Sequence, residues 1–600
     1  MASVGANKKK GVVKTTLTDA KSIRISADGR MVASGVKRVD VVEAKDSETA
    51  ALLQGEGHKP VTVGRAVRKA FSWGTGGAGR GFFSGKRRRR AEDEEDETGA
   101  MGIDEAIDRI LEDGDGECLY SNFTMLSAFT LSVFTMVFAL ETNMLTYVAP
   151  CAVSSFYPDA SWEELYVKET GLWDALYYGE MVGTLFWGPL GDSVGRYRIL
   201  FISSVCILIF GCLSASATSF AFLCWMRFFV GFFEGGSVVA IDMLAEILPS
   251  KDRGFILNFT NTAWGVGSVF ICLGAKWTLT TWGSASGWRY LVLFAVTPMA
   301  VSIFTLLWLV ESPRFLLING KPDAAMRSLR TMAKRNDVPM PCDSLIVPPG
   351  VERDTEIENK AGAARWYIYF KRFWRSCKAL LSKKLWKRTL LIWILWFGSI
   401  GLYSGVVIFS ADLIGEEQGD DGSIECSFNF DQNILLASSE IVGAVLCFPL
   451  IDKMTIGIWG GRFGTYWMTL FVSTAALLML GYNESPTIFW VYISRGGISA
   501  ASGIVLIATT EWYPSVCRAT GTSIAYFVGI IGSIAVTYWT YAYFSTEVIA
   551  YGLCILSVIS LIPALFLPET VGIDFESLDK PDADFGVSCN TRRVNCCGDD

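Results

Sequence analysis

From about residue 123 to about residue 567 the chain alternates long apolar runs with short breaks rich in charge, glycine and proline. A hydrocarbon core about 30 Å thick takes roughly 20 apolar residues of helix, so each run reads as one membrane crossing. Twelve runs can be segmented, at 123–148, 170–190, 199–218, 221–247, 254–275, 288–310, 389–413, 431–452, 463–481, 487–510, 519–542 and 547–567. The one long break, 311–388, falls between the sixth and the seventh. The pattern predicts an all-α membrane protein with twelve transmembrane helices in two six-helix bundles, 121–310 and 389–567. A central loop joins them and a tail follows at 568–600.

Residues 1–120 break the pattern. They are polar, hold no sustained apolar period and include GKRRRRAEDEEDE at 85–97. A disordered cytoplasmic arm is expected there, because so little apolar surface cannot offset the entropy of ordering. No apolar segment follows Met1, which argues against a cleaved signal peptide. Arg87–Arg90 could touch anionic lipid or act as a localisation signal, but the acids that follow at once favour a solvated charge block.

Charge also sets the expected orientation. The break at 311–388 carries seventeen Lys and Arg against eight Asp and Glu. The loop after the first run instead carries Asp159, Glu163, Glu164 and Glu169 with only Lys168. Basic loops stay in the cytoplasm, so both termini and the central loop are expected on that side. Within the loop, KPDAAMRSLRTMAKR has helical composition and predicts a short surface helix.

Composition narrows the chemistry. Hydrophobic residues make up 51% of the chain, which suits a polytopic membrane protein rather than several soluble domains. The net charge of -7 speaks against a nucleic-acid partner. His58 is the only histidine and lies in the arm, which argues against a histidine-based metal site or triad. The fifteen cysteines show no paired CxxC spacing and mostly sit in apolar runs as small hydrophobes. No nucleophile–base constellation or phosphate-binding loop stands out, so an enzyme is the least favoured class and no cofactor is expected.

The two halves echo each other. EILPSKDRG (246–254) ends the fourth run and EWYPSVCRATG (511–521) ends the tenth, and both read Glu-x-x-Pro-Ser-x-x-Arg. Each follows an arginine set among small residues: Arg227 with Gly231, Gly235 and Gly236, and Arg495 with Gly496, Gly497 and Gly503. Recurrence at matching places implies two pseudo-symmetric bundles. GPLGDSVGRYR (188–198), after the second run, has a looser counterpart in LIDKMTIGIWGGR (450–462), after the eighth. The stretched spacing of the second copy predicts that the stronger cytoplasmic lock lies at Asp192 and Arg196.

These motifs resemble those of the major facilitator superfamily. The match comprises Gly-x-x-x-Asp-x-x-Gly-Arg from Gly188 to Arg196, Arg227 with Gly231, and Glu246 with Pro249 and Arg253. ESPRF (311–315) and PETVG (568–572) are similar to its sugar porter and organic ion transporter side. WGPLGD, SEIVG (439–443), Tyr403 and Gly405 after a Trp-Phe pair, and TTEWYPSVCRATG are similar to the synaptic-vesicle-2-related branch. The resemblance spans about 100–578. It implies the major facilitator fold and alternating access, with the site between the halves near mid-membrane. The seventh run departs from the sugar porters: ILWFGSIGLYSG lacks their Gln-rich pattern, which speaks against a hexose. No large glycosylated loop follows that run, and the one outward acceptor, Asn483-Glu484-Ser485, lies in a very short loop beside Pro486.

Ionisable groups inside a bilayer are costly unless partnered or hydrated. Glu141 lies in the middle of the first run, although it could also be an outer-end residue reaching the interface. The resemblance implies a sharper role. Proton-coupled members place an acid there beside an arginine of the fourth helix, the place of Arg227, so Glu141 is the expected proton carrier and Arg227 its partner. Glu180, Glu234 and Asp242 make the expected cavity acid-rich, which favours a cationic or zwitterionic organic solute. Arg227 and Glu234, seven apart on one helix face, could equally pair for structure. Glu440 belongs to the SEIVG match. Tyr177, Tyr178, Trp264, Trp396 and Tyr403 offer aromatic faces to an organic cation, or else simple packing; Tyr403 falls in the motif of the seventh run. Asp192, Arg196, Glu246, Arg253, Asp452, Arg462, Glu511 and Arg518 share the cytoplasmic side, and the resemblance implies a gate that interlocks there when the outer side is open.

The expected activity is movement of a small organic solute, first an organic ion, coupled to protons. The protein is expected to act as a monomer in the lipid bilayer of the plasma membrane or of an intracellular vesicle. A sugar porter or facilitator and a non-transporting vesicle-membrane receptor or scaffold are the rivals. SCNTRRVNCC (588–597) could be S-acylated at Cys596 or Cys597, or form a plain tail.

Overall fold

The computed structural model describes residues 15–18, 22–25, 31–34, 38–41, 100–111, 121–249, 253–347, 363–414, 428–452, 460–482, 485–540, 545–572 and Phe575. The charge block at 85–97, His58, Asn483, Glu484, Cys596 and Cys597 lie outside them.

Ten described segments are long and apolar enough to cross a membrane. They are Asn122–Phe156 (span one), Arg196–Ala215 (three), Phe220–Ile247 (four), Arg253–Leu306 (five and six) and Trp386–Ser410 (seven). Phe430–Cys447 (eight), Gly461–Gly481 (nine), Thr487–Trp512 (ten), Arg518–Thr540 (eleven) and Thr546–Ala564 (twelve) follow. Span two is the 33-residue helix Trp162–Val194. Its acids, Glu163 to Glu180, keep it outside the apolar set, and it packs against spans four and eleven.

Arg253–Leu306 holds two spans rather than one. Gly283, at φ 70°, leaves helical geometry, a conformation that glycine adopts freely. The chain then folds back, so that Phe270 stacks on Phe294 at 5.0 Å and Trp282 on Tyr290 at 4.5 Å. An unbroken helix would set Phe270 and Phe294 about 36 Å apart. The break expected over 276–287 is therefore helical almost throughout, because one residue at positive φ suffices to reverse the chain.

Spans two and four meet backbone to backbone. Gly179 and Gly183 lie against the carbonyls of Phe228 and Phe232, and Gly231 lies against that of Leu176. Lipid gives helices no hydrophobic drive to associate, so close approach through small residues supplies the contact energy. A methyl group at Gly183 would overlap the Phe232 carbonyl. Gly183→Ala is expected to cost about 1–3 kcal/mol by overpacking, measurable as a lowered thermal midpoint of the purified protein.

Shorter helices gather at the end where span one begins. Ile103–Leu111 buries Ile103, Ala106, Ile107, Ile110 and Leu111, one face of a helix. It packs on Pro322–Asn336, the surface helix expected in the central loop, which buries Ala325, Met326, Leu329, Met332 and Ala333. Asn336 ties both to span one, donating to the Ile110 carbonyl at 3.0 Å and accepting from the Phe123 amide at 2.9 Å. A third helix, Ala363–Leu380, touches spans two and eleven.

The region expected to be a mostly disordered arm includes short strands among its described residues. Thr15–Thr18 pairs antiparallel with Arg38–Val41, and Ser22–Ile25 with Met31–Ser34, in a unit of their own. Segments such as SIRI alternate apolar and polar residues, a period of two that a search for long apolar runs passes over.

Candidate functional site

All eight expected gate residues converge at one end of the bundles. Gly195 and Gly461, at φ 122° and 82°, turn the chain into spans three and nine just before Arg196 and Arg462. Glu311 accepts from the Arg196 and Tyr197 amides at 3.0 and 3.2 Å. Glu569 repeats this with the Arg462 and Phe463 amides at 3.0 and 3.1 Å. ESPRF and PETVG are thus one device used twice, a carboxylate seated on a helix N-terminus. Burial pushes the Glu311 carboxyl above its ordinary value, while the Tyr197 amide, the Arg196 guanidinium and the Ser312 and Arg196 amides pull it back.

The remaining carboxylates bridge the halves. Asp192 accepts from the Ala519 and Thr520 amides at 3.2 and 2.8 Å and from the Thr520 hydroxyl at 2.7 Å, at the start of span eleven. Asp452 accepts from the Phe255 amide at 2.5 Å, at the start of span five. Glu246 holds Arg196 and Arg518, each at 2.7 Å. Glu511 holds Arg462 at 2.9 Å and faces Arg253 at 4.0 Å. Each aspartate therefore caps a helix of the opposite half, and separation at this end strips the cap from both.

The expected inequality between the two locks appears in the bonds that cross the halves. Asp192 accepts three from span eleven and Glu246 meets Arg518 at 2.7 Å, whereas Asp452 accepts one described bond from span five and Glu511 faces Arg253 at 4.0 Å. Arg462 binds Asp452 at 2.6 Å, whereas Arg196 reaches Asp192 only at 3.4 Å. Only within its own half is the second aspartate held more closely than the first. Gly461 restores the turn in front of the arginine, so the longer spacing from Asp452 is absorbed before it reaches the contact.

Deeper in the N-terminal half, Arg227 Nη1 meets Glu141 Oε2 at 2.7 Å, with both side chains fully buried. Its other nitrogens donate to Ser214 at 2.6 and 3.1 Å, so Arg227 does not pair with Glu234. The C-terminal half has its own pair, Arg495 with Glu440 at 2.7 Å. Ser268 donates to Glu440 at 2.8 Å and accepts from Asn143 at 3.0 Å, linking this pair to spans five and one. Tyr403 donates to Glu440 at 3.3 Å and accepts from Trp264 at 2.7 Å.

A cavity of about 130 Å³ lies between the halves. Its wall is aromatic, with Phe138, Tyr177, Trp264, Trp396, Tyr403 and Tyr526, and its polar groups include Asn261, Ser237 and Ser502. Glu180 is the one charged side chain among the described lining residues and accepts from the Tyr526 hydroxyl at 3.1 Å. Two expected cavity residues, Glu234 and Asp242, are not on the wall. Span four breaks between them, one helix ending at Glu234 and the next beginning at Val238. The break turns Ser237, Val238 and Ile241 to the cavity. Glu234 is left sealed inside its own half, and Asp242 meets the Thr522 hydroxyl at 3.2 Å. Tyr178 points outward, 47% exposed.

Two pseudo-symmetric bundles, a paired gate and a central cavity are the anatomy of a facilitator. Residues 119–581 match the family described as "Sugar (and other) transporter". The chain belongs to that family. This major facilitator transporter is 28% identical over 429 residues to organic cation/carnitine transporter 7 of Arabidopsis thaliana, covering 66% of this chain and 81% of that one. It is 26% identical over 462 residues to the synaptic vesicle 2-related protein of Xenopus laevis, covering 73% and 77%. Among solved structures it is similar to the proton:xylose symporter XylE bound to 6-bromo-6-deoxy-D-glucose. The TM-score there is 0.57 at 17% identity, covering 76% of this chain and 99% of that one, a likeness of fold.

Sequence reasoning missed three parts of the transporter. The Glu440–Arg495 ion pair was hidden because its acid stands on span eight, whereas Glu141 stands on span one. The capping roles of Glu311 and Glu569 were legible only as motif positions, although Gly-Arg-aromatic at 195–197 and 461–463 marks both receiving helices. Cys151 is disulfide-bonded, and the other described cysteines form no disulfide.

Proposed function

We propose that this transporter carries a small organic cation, coupled to protons, by alternating access to the cavity between its halves. The observation that carries the reading is the cavity wall: among its described residues Glu180 is the one ionisable acid, none is Lys or Arg, and six aromatic rings surround it. Aromatic faces and a carboxylate together attract an organic cation. An anion would shed its hydration there without meeting a positive group. The name of the Arabidopsis relative points to the same solute class.

Glu141 and Arg227 form the coupling pair in this reading. A proton on Glu141 cancels its attraction for Arg227, which keeps Ser214 as a partner, and spans one and four are then free to shift. Trp264, Trp396 and Tyr403 hold the solute's apolar parts, while Asp192, Glu246, Asp452, Glu511 and the four gate arginines latch the cytoplasmic side. Both termini face the cytoplasm. The basic segment 311–388 supports that orientation, as does the disulfide at Cys151 towards the opposite end of span one, since disulfides persist in oxidising compartments.

Proteoliposomes holding the full chain are expected to accumulate radiolabelled tetraethylammonium when a pH gradient is imposed. Glu180→Gln is expected to weaken its apparent affinity about tenfold, the size of one lost charge-assisted contact. Uptake of xylose or glucose with no transport of the cation would sink this reading and favour the sugar porter.

A further inference from the structure

We propose that Glu234 relays protons between the cavity and the sealed Glu141–Arg227 pair, a role that rests on the proton-coupled reading above. Glu141 is fully buried and is not on the cavity wall, so cavity water does not reach it directly. The acid on the wall is Glu180. Glu234 stands between them. It is seven residues from Arg227 on the same face of span four, and span two packs there with the Glu180 amide against Gly231, one turn before Glu234. Glu180, Glu141 and Arg227 are the charged groups that act on it. Span three also packs on span four, but its interior offers only Cys206 and Cys212.

Hydrogen bonding points the same way. Glu234 is 1% exposed, and neither of its carboxyl oxygens has a hydrogen-bond partner. Glu141 Oε1 and Glu180 Oε1 are likewise without one. Three carboxyls are therefore buried together, and the one arginine among them is bonded to Glu141 alone. A second or third bare carboxylate in this apolar bundle would be costly, so Glu234, and Glu180 while the cavity holds no cation, stand as neutral acids beside the paired Glu141. Each then has a proton to give and an unbonded oxygen to take one. The other half lacks this surplus: aligned on Arg495, Ser502 stands where Glu234 stands relative to Arg227, and Glu440 is already paired.

The transfer balances with one proton. Protonated Glu234 gives its proton to the Glu141 carboxylate, and the bond from Arg227 to Glu141 loosens. The Glu234 carboxylate so formed takes the proton of Glu180. Glu180 recovers a proton from cavity water, and the reverse sequence discharges Glu141.

The test uses full-length wild type, Glu234→Gln and Glu234→Asp in proteoliposomes, with radiolabelled tetraethylammonium as probe. Two modes are read: accumulation driven by a pH gradient, and exchange of inside for outside probe at equal pH. Glu234→Gln is expected to lower driven accumulation about tenfold or more, the scale of a lost proton-transfer group, while exchange persists. Glu234→Asp is expected to recover most of the drive. Infrared spectra of Glu234→Gln without substrate are expected to lose part of the protonated-carboxyl band. Undiminished drive in Glu234→Gln overturns the relay alone. An equal fall in both modes, unrelieved by Asp, makes the residue structural and also overturns it. A wild type without pH-driven accumulation overturns the proton-coupled reading and the relay together.

Discussion

Replacing Glu141 with Gln is expected to remove uphill, pH-driven accumulation of tetraethylammonium while downhill exchange survives. Glutamine keeps the shape of the acid but is permanently neutral, so the switch from paired to unpaired Arg227 no longer follows a proton. The loss is expected to reach about a hundredfold, within the range for a group that handles the transferred proton. Stability provides a second reading. Removing one partner of a buried pair usually costs about 3–5 kcal/mol, because the other charge is left uncompensated. Arg227, however, also acts on Glu234, which can ionise in place of Glu141. Arg495 has no second carboxylate among its described partners, whose other members are Tyr403, Cys272 and Ser410. Glu440→Gln is therefore expected to lower the thermal midpoint more than Glu141→Gln does. Full pH-driven accumulation by Glu141→Gln would show that coupling lies elsewhere.

Arg518→Ala is expected to open the gate end of the bundles. Arg518 is fully buried, binds Glu246 across the halves at 2.7 Å and covers the Phe575 ring at 3.7 Å. Arg253 and Arg314 lie over the same ring at 3.9 and 5.0 Å, so one aromatic residue after span twelve is packed among three arginines, two of them from the gate. Truncation leaves Arg196 as the remaining partner of Glu246, on the same half, and the cross-link is gone. If about 3 kcal/mol of latch energy is lost, the ratio of open to closed states rises about a hundredfold. Cys517, adjacent and fully buried in the latched state, reports the change. Its alkylation by a charged maleimide, followed residue by residue by mass spectrometry, should accelerate strongly in Arg518→Ala while equilibrium binding of tetraethylammonium is retained. Unchanged protection of Cys517 would mean that Asp192 and Asp452 hold the gate without the arginine.

The two halves share a plan but divide the labour. At the gate they are near copies, each with an aspartate capping the other's helix, a glutamate holding arginines, and a second glutamate on a helix N-terminus. At membrane depth they differ. The N-terminal half keeps three acids about one arginine, whereas the C-terminal half keeps one acid about one arginine, fastened further by Ser268 and Tyr403. Surplus acid suits a half that loads and unloads protons. A fully satisfied pair suits one that holds position.

What the chain determines unaided follows from local chemistry. Apolar runs of membrane length, basic character at 311–388 and the doubled Glu-x-x-Pro-Ser-x-x-Arg motif suffice for two six-helix bundles, because each signal is set by neighbours in sequence. The eight gate residues are legible for the same reason: motifs at span ends fix which side of the membrane they share. Partners are another matter. Whether Arg227 meets Glu141 or Glu234, whether Arg462 is tied as closely as Arg196, and whether Glu234 faces the cavity all depend on how helices rotate and where they break. Glycines packed against opposing carbonyls and the interruption between Glu234 and Val238 set those rotations, and both are properties of the assembled bundle. Sequence placed the charges in the membrane; tertiary packing decided which of them are paired, which line the cavity and which stay buried away from both.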